Sequence, residues 1–355
     1  MAEDLSYFAE YVYENEIMQN YFRIPRRLIC DRSNPIEKFD DQLFIKRYRL
    51  SKRTVVHVCD EITHLLPSYN TRRNYPISPL LQLLITLRFY ATGNFYHEVG
   101  VLTSTSKSSV CRIIKTVSKA LGSLSKKYIA FPSTMLEYRK VIKKFYDIAK
   151  FPGVIGAIDC THIPIASPGT NAELFRNRKG YFSINTQAVS DANLLIRNLV
   201  ARWAGSVHDS TIFNNSELCL KFENRVPPVT CYLLGDGGYP CKPYLMTPLL
   251  NPTTNAEVKY NAAHIKTRNT VERLFGIWKS RFPCLRFGLR TKLETSLVII
   301  VATGVLHNIA MLCKDDSLVL DMVIQPEECN GDDARDWTVQ GGTAVRNTII
   351  QAFNE

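Results

Sequence analysis

The sequence contains no apolar run long enough to cross a membrane. Its longest uncharged apolar run covers residues 296–306, whereas a spanning helix needs about 20 such residues. The N-terminal residues lack the apolar stretch of a secretory signal. The ten cysteines include no C-x-x-C pair, and neither they nor the seven histidines have the spacing of a structural zinc site. We therefore expect reduced, mostly buried thiols and no membrane-spanning segment.

Charge is distributed unevenly along the chain. The net charge is +11, but residues 315–336 hold eight acidic residues and one arginine. Residues 337–355 are neutral, so residues 1–314 carry +18. A body this basic favours a polyanionic partner, with nucleic acid first and an anionic membrane surface second. The alternative is an ordinary basic protein without such a partner.

The pattern up to residue 125 is helical. Apolar spacing predicts a helix over 51–66, and Ser78-Pro79 predicts the start of a second helix that ends at Gly93. A short helix, a hydroxyl-rich turn at 103–106 and a longer helix over 107–121 follow, which is a helix-turn-helix layout. The long helix has one apolar face and an opposite basic face that we predict contacts DNA: Arg112, Lys115 and Lys119. A basic face that only meets solvent is the alternative.

The pattern changes to strands from residue 153. The apolar, β-branched run 153–166 predicts a strand buried on both faces. Two further strands joined by a hairpin turn, a helix, a fourth strand and a long helix complete the order β-β-β-α-β-α, which predicts a mixed α/β fold with an RNase H-like core. The predicted ranges after the first strand are 181–190, 194–203, 209–222, 230–235 and 262–281, with a loop over 240–261.

Three acidic residues stand out in this region. Asp159 lies within the apolar strand, where an unpaired carboxylate is costly. Asp236 follows the fourth strand between glycines, and Glu272 lies beside the apolar face of the long helix. A salt bridge, an Asp-Gly turn and an Arg268–Glu272 surface pair are the respective structural alternatives. Together, two strand-borne aspartates and a helix-borne glutamate can hold a pair of Mg²⁺ or Mn²⁺ ions for phosphoryl transfer.

Further polar residues accompany these three acids. Asp209 opens the helix after the third strand, where it can act as an N-cap or help to hold the ions. His208 beside it can carry a proton, contact a phosphate or simply pack. A basic loop can contact phosphates or meet solvent: Arg176, Arg178 and Lys179.

Five sequence blocks in order resemble the PIF/Harbinger transposase family and its domesticated transposase-derived nucleases. They are GAIDCTHIPI (156–165), NRKGYFSIN (177–185), WAGSVHDS (203–210), LGDGGYP (234–240) and NTVERLFG (269–276). The resemblance implies a DDE carboxylate set on Asp159, Asp236 and Glu272, with Asp209 as a further metal-associated acid. Thirty-five residues separate Asp236 from Glu272, the gap expected of DDE enzymes. A nuclear setting, with some protein in the cytoplasm, and a Myb/SANT-like partner are also implied.

The sequence therefore predicts five segments and one leading function. The segments are an N-terminal helical region (1–75), a helix-turn-helix-like DNA-binding region (76–125), a linker helix (126–147), an RNase H-like nuclease domain (148–313) and an acidic tail (314–355). The leading function is divalent-metal-dependent cleavage of DNA, by a monomer or a homo-oligomer. The main alternative is a regulator that binds DNA or protein without cutting. A phosphohydrolase built on His162, His208 and Asp209 is a third alternative, although its class needs further helical histidines.

Overall fold

The computed structural model describes residues 34–67, 77–103, 105–169, 171–315 and 341–354. The chain divides into two units, residues 1–40 and 41–355. In the described part of the first unit, helix α1 (Pro35–Lys38) begins where the Asn34 side chain accepts a hydrogen bond from the amide of Ile36. Most of the predicted acidic tail, residues 316–340, lies outside the described residues.

The second unit begins with helices, one of which has the caps that the sequence predicted. The Ser78 hydroxyl accepts a hydrogen bond from the Leu81 amide, with Pro79 in the first turn, and Gly93 ends the helix at φ 66°. The helices before the sheet are α2 (Asp41–Tyr48), α3 (Lys52–Thr63), α4 (Pro79–Thr92), α5 (Tyr96–Leu102), α6 (Lys107–Ser123), α7 (Ser125–Tyr128) and α8 (Met135–Ala149). The predicted segment 126–147 thus holds most of α7 and of α8, with Pro132 in the segment that connects them.

Helices α5 and α6 have the predicted short and long lengths. In α6 the apolar side chains of Val110, Ile114 and Val117 are fully buried, whereas Arg112 on the opposite face is exposed. Burying such a side chain stabilises the fold by about 1.5–3 kcal/mol. The predicted amphipathic helix is therefore confirmed: the apolar face of α6 packs into the protein, and its opposite face is exposed.

Five strands form one mixed sheet in the order β3-β2-β1-β4-β5. The strands β1, β2 and β3 are antiparallel neighbours, as predicted, and β4 and β5 extend the sheet in parallel beside β1. The short β5 was not predicted, because it lies inside the Pro/Asn/Thr-rich stretch interpreted as loop. The strand bounds are β1 (Val154–Pro164), β2 (Ser183–Ser190), β3 (Ile196–Ala204), β4 (Tyr232–Leu234) and β5 (Leu245–Met246).

Two helix predictions in this half of the chain were wrong. The single helix predicted over 209–222 is two helices, because Ser216 caps a new start by accepting a hydrogen bond from the Cys219 amide. The long helix begins at residue 255 rather than 262, because Thr254 and Glu257 form a capping box. The helices are α9 (Asp209–Asn214), α10 (Glu217–Glu223), α11 (Asn255–Arg281), α12 (Cys284–Phe287), α13 (Leu293–Leu312) and α14 (Gly342–Gln351).

Helix α13 joins the helical region to the sheet. It packs against α6 and against β3. The Asn308 side chain bonds to both the amide and the carbonyl of Ile196 on β3, at 2.8 and 2.7 Å. The sequence indicated no apolar run long enough to cross a membrane, but α13 is long and apolar enough to do so. Because 72% of its most apolar window is buried inside the protein, it resembles the core helix of a folded domain.

Helices α8 and α11 pack on the central strand β1. Phe145 of α8, Ile155 and Ile158 of β1 and Tyr260 of α11 are fully buried in one apolar cluster. This core fixes the height and rotation of α11 relative to β1. The polar residues of both elements therefore have defined positions relative to one another.

Candidate active site

Asp159 lies in the middle of the central strand. Strand β2 pairs with one side of β1 and β4 with the other, and the residue is only 6% exposed. One carboxylate oxygen, Oδ1, accepts a hydrogen bond from the Cys160 amide at 2.8 Å. The other, Oδ2, lies 2.9 Å from Nη2 of Arg268. The strand therefore carries a buried carboxylate that is paired rather than isolated.

Asp236 follows β4, which runs parallel to β1 with Leu234 opposite Ala157. From this register, two residues further along each chain lead to Asp159 and to Asp236, so the two carboxylates come close together. Its Oδ1 accepts a hydrogen bond from the Gly238 amide at 3.0 Å, and its Oδ2 lies 3.9 Å from Nη2 of Arg268. The Asp-Gly-Gly turn thus aims this carboxylate at the same guanidinium.

Glu272 and Arg268 lie one turn apart on α11. Nη1 of Arg268 donates to Oε1 of Glu272 at 2.6 Å. The Arg268–Glu272 pair expected as a structural alternative is therefore present, but it is not a surface pair. The Arg268 side chain is only 12% exposed and also reaches both aspartates. One guanidinium thus gathers the three predicted acids within 2.6–3.9 Å of its nitrogens.

The electrostatics of this group follow from burial and from like charges. Burial, together with the charges of Asp236 and Asp209, raises the pKa of Asp159 to about 8, against the lowering effect of Arg268. Burial alone would lower the pKa of Arg268, but the charges of Asp159, Asp236 and Glu272 raise it instead. The pocket therefore concentrates negative charge that demands a cation.

Asp209, the fourth predicted acid, is held by a residue other than Arg268. It is the first residue of α9, and His208 occupies the N-cap position without a capping side-chain bond, so the N-cap role predicted for Asp209 was wrong. Its Oδ1 instead accepts a hydrogen bond from Nδ2 of Asn185 on β2 at 2.8 Å. Its charge reaches Asp159, whose pKa it raises.

Sequence reasoning missed three polar residues of this pocket. Arg268 was considered only as a surface partner of Glu272, because the four-residue spacing indicates that pair but not the contacts of its guanidinium with the two aspartates. Tyr239 is fully buried, and its hydroxyl lies 3.4 Å from Sγ of Cys160. Burial, followed by the charges of Cys160 and the nearby aspartates, raises the pKa of Tyr239. Asn185, which holds Asp209, gave no signal beyond its place in a motif block.

The residues predicted to contact DNA form two groups. On α6, Arg112, Lys115 and Lys119 are exposed, and the two lysines flank a cavity of about 220 Å³ next to Glu294 of α13. In the loop before β2, Lys179 is exposed, but its neighbours make local contacts. Arg176 pairs with Glu173 at 2.7 Å and lies over the ring of Phe182. Arg178 contacts Nδ1 of His208 at 3.0 Å.

The donor atoms of the pocket suit a hard divalent cation. Carboxylate oxygens are the ligands that Mg²⁺ and Mn²⁺ prefer, and the raised pKa of Asp159 marks a place where added positive charge is favourable. Within the described residues, no three acidic, histidine or cysteine side chains have metal-binding spacing as they stand. The guanidinium of Arg268 lies between the carboxylates. The three carboxylates therefore offer the type of ligand atom that such a cation prefers. They can coordinate it once Arg268 has moved aside.

Comparison with known proteins identifies the class. Residues 158–308 match the DDE superfamily endonuclease family, a range that includes all four predicted acids. The candidate nuclease HARBI1 of Bos taurus is 33% identical over 78% of this chain and 79% of its own length. The Xenopus laevis HARBI1 protein is 30% identical over 78% and 80%, and Protein ALP1-like of Arabidopsis thaliana 23% over 82% and 76%. No solved structure matches at a significant level.

The chain therefore belongs to the DDE superfamily endonucleases. Within them its HARBI1 relatives place it among the Harbinger transposase-derived proteins, which confirms the resemblance stated from the five sequence blocks. The matched family range begins within β1 and contains β2–β5 and α11, while α2–α8 precede it.

Proposed function

We propose that this protein is a divalent-metal-dependent DNA endonuclease. Asp159, Asp236 and Glu272 would hold a pair of Mg²⁺ or Mn²⁺ ions, and Asp209 would assist them. The observation that carries this proposal is the convergence of three carboxylates, from two strands and a helix, on one guanidinium. Membership of the DDE endonucleases supports the reaction class.

The chain's own residues supply position and charge for such a reaction. The Cys160 amide holds Asp159, the Gly238 amide holds Asp236, and Asn185 holds Asp209. In each of these three carboxylates a hydrogen bond from the protein thereby fixes the position of one oxygen. Bound divalent ions would lower the pKa of an attacking water or 3′-hydroxyl and neutralise charge on the phosphate. No covalent intermediate with a side chain is required.

We propose an RNase H-like core and a helix-turn-helix DNA contact as the framework of this activity. Three antiparallel strands followed by parallel strands beside β1 support the core. The buried apolar face of α6 and the exposed Arg112 opposite it support the DNA contact. A nuclear location, with some protein in the cytoplasm, and a Myb/SANT-like partner complete the proposal. Imaging of the tagged chain tests the location, and a wholly cytoplasmic chain would contradict it.

The experiment is a nicking assay with the full chain, Mn²⁺ and Harbinger-type terminal-repeat DNA. We expect Asp159→Asn to lower the nicking rate at least a hundredfold, the order of loss seen when a transition-state-stabilising group is removed. Asp147→Asn, an exposed aspartate on α8, is the matched control and should nick at the wild-type rate. Equal nicking by both variants would refute the assignment of the site.

A regulator that binds DNA without cutting is the second candidate, favoured by the exposed basic face of α6. It predicts tight, salt-dependent binding of the same DNA and no Mn²⁺-dependent product from the wild-type chain. DNA binding that persists in Asp159→Asn while nicking is lost supports the nuclease. Binding without any wild-type nicking supports the regulator.

A further inference from the structure

Arg268 is the residue whose position the proposed reaction does not explain. Its guanidinium lies among the three carboxylates at 2.6 Å from Glu272, 2.9 Å from Asp159 and 3.9 Å from Asp236. These are the oxygen atoms that a divalent cation would need. A guanidinium and a metal ion are both positive, so they cannot share this small space without strong repulsion.

The contacts of Arg268 come from the acids themselves. Both terminal nitrogens bond to carboxylates, while Nε is buried with no hydrogen-bond partner. A buried guanidinium with a purely structural role would be expected to use its Nε donor in a hydrogen bond as well. The side chain is anchored at its tip by charge and has a flexible stem behind it.

Arg268 is the basic residue that neutralises the three carboxylates of the pocket. Lys266 and Arg273 on the same helix are exposed, whereas the Arg268 guanidinium lies within 3.9 Å of all three carboxylates. Without a cation, three carboxylates would face one another with Asp159 buried, which is strongly unfavourable. Arg268 therefore performs, in the absence of metal, the neutralisation that a bound divalent ion would perform.

We infer that Arg268 is a built-in counter-cation that competes with divalent metal for Asp159, Asp236 and Glu272, and that it leaves these carboxylates when the site loads. The inference rests on the proposed metal-dependent function. It makes Arg268 a positioning residue that keeps the empty pocket assembled and sets how much metal is needed to fill it. The competition predicts opposite effects of its removal on the two states. The metal-free protein loses the guanidinium that bridges the three acids, whereas the metal no longer competes with that guanidinium for the same oxygens.

The test compares the full chain with Arg268→Gln, Arg268→Lys and the control Arg273→Gln, which removes the same charge from an exposed place on α11. Mn²⁺ binding is measured by calorimetry at pH 8, to limit competition from protons, and thermal unfolding is measured with and without Mn²⁺. We expect Arg268→Gln to lower the Tm of the metal-free protein and to bind Mn²⁺ at least tenfold more tightly. Arg268→Lys, which lacks the two-pronged geometry, should be intermediate, and Arg273→Gln should match the wild type.

The linkage between metal and stability separates competition from a purely structural role. Competition predicts that saturating Mn²⁺ raises the Tm of Arg268→Gln by more than it raises that of the wild type. Equal rises, or weaker Mn²⁺ binding by Arg268→Gln while the wild type binds, would overturn the inference and leave the metal site standing. If Arg268→Gln does not fold, the same comparison is made with Arg268→Lys. The proposed function requires Mn²⁺ binding that is lost when Asp159→Asn is introduced. If neither the wild type nor any Arg268 variant shows such binding, the proposed function fails and the inference fails with it.

Discussion

Oδ2 of Asp159 and Nη2 of Arg268 lie 2.9 Å apart although 109 positions separate the two residues in the chain. The contact joins the central strand to the long helix that packs on it. Glu272, one helical turn further on, shares the same guanidinium. The arrangement makes the position of α11 on β1 a condition for the pocket, so that mutations in the support of either element should change the chemistry.

Asn185 on β2 supports Asp209, because its side chain bonds to Asp209 Oδ1 and to the Val207 carbonyl at 2.8 Å each. We expect Asn185→Ala to lower Mn²⁺-dependent nicking about 10- to 100-fold, the usual effect of losing a residue that orients a metal ligand. The measurement is the nicking rate over a range of Mn²⁺ concentrations. The control is Asn193→Ala in the exposed turn before β3. An unchanged rate in Asn185→Ala would remove Asp209 from the site.

Gly156 allows the strands to pack tightly around β1. A Cβ at this position would lie 2.5 Å from Cγ1 of Val189 and 3.0 Å from Cδ2 of Leu233. We expect Gly156→Ala to lower the free energy of unfolding by about 1–3 kcal/mol through overpacking. In Gly122→Ala on α6 the nearest atom is at an ordinary 3.7 Å, so the gain in helix propensity should stabilise by about 0.5–1 kcal/mol. Urea denaturation of both variants tests this, and equal changes would contradict it.

The buried His307 makes the free energy of unfolding depend on pH. Burial, with a smaller effect of Arg281, lowers its pKa to about 3, and its Nε2 lies 2.8 Å from the Leu194 carbonyl. Below pH 6.5 the unfolded chain binds a proton that the folded chain does not, so stability falls as the pH falls from about 6.5 towards 3, by about 1.4 kcal/mol per pH unit. We expect His307→Gln to remove this part of the slope in urea titrations between pH 7 and 4.5. A wild-type slope in the variant would contradict the buried neutral histidine.

The basic face of α6 predicts a salt signature of DNA binding. We expect the triple alanine variant of Arg112, Lys115 and Lys119 to weaken binding and to reduce the slope of log Kd against log salt by up to about 2.7, at about 0.9 per lost phosphate contact. The matched control is the triple alanine variant of three exposed basic residues on α8: Arg139, Lys140 and Lys143. A slope unchanged in the first triple variant, or reduced equally in both, would exclude α6 as the DNA contact.

Local signals were enough for much of the fold. Ser78, Pro79 and Gly93 predicted both ends of α4 because capping is read from adjacent residues, and the β-branched run around Asp159 predicted the central strand. The restart of the helix at Ser216 was missed, because a serine between two apolar stretches also fits a continuous helix. The early start of α11 was missed because Thr254 and Glu257 lie in a stretch whose composition indicated loop.

The acidic residues of the candidate site could be predicted from the sequence, but the arginine at its centre could not. The strand context of Asp159 and Asp236 indicated buried or sheet-end carboxylates, and the structure brings them together with Glu272. That Arg268 lies between them depends on how α11 rotates on β1, which is set by core packing and by no local pattern. The role of these residues in catalysis stays a prediction.

The most direct measurement is a crystal structure of the full chain grown with Mn²⁺, with diffraction data collected at the manganese absorption edge. The account predicts anomalous peaks coordinated by Asp159, Asp236 and Glu272, with the Arg268 guanidinium withdrawn from these carboxylates. Crystals that contain saturating Mn²⁺ but show no peak there, with Arg268 still bridging the acids, would contradict it.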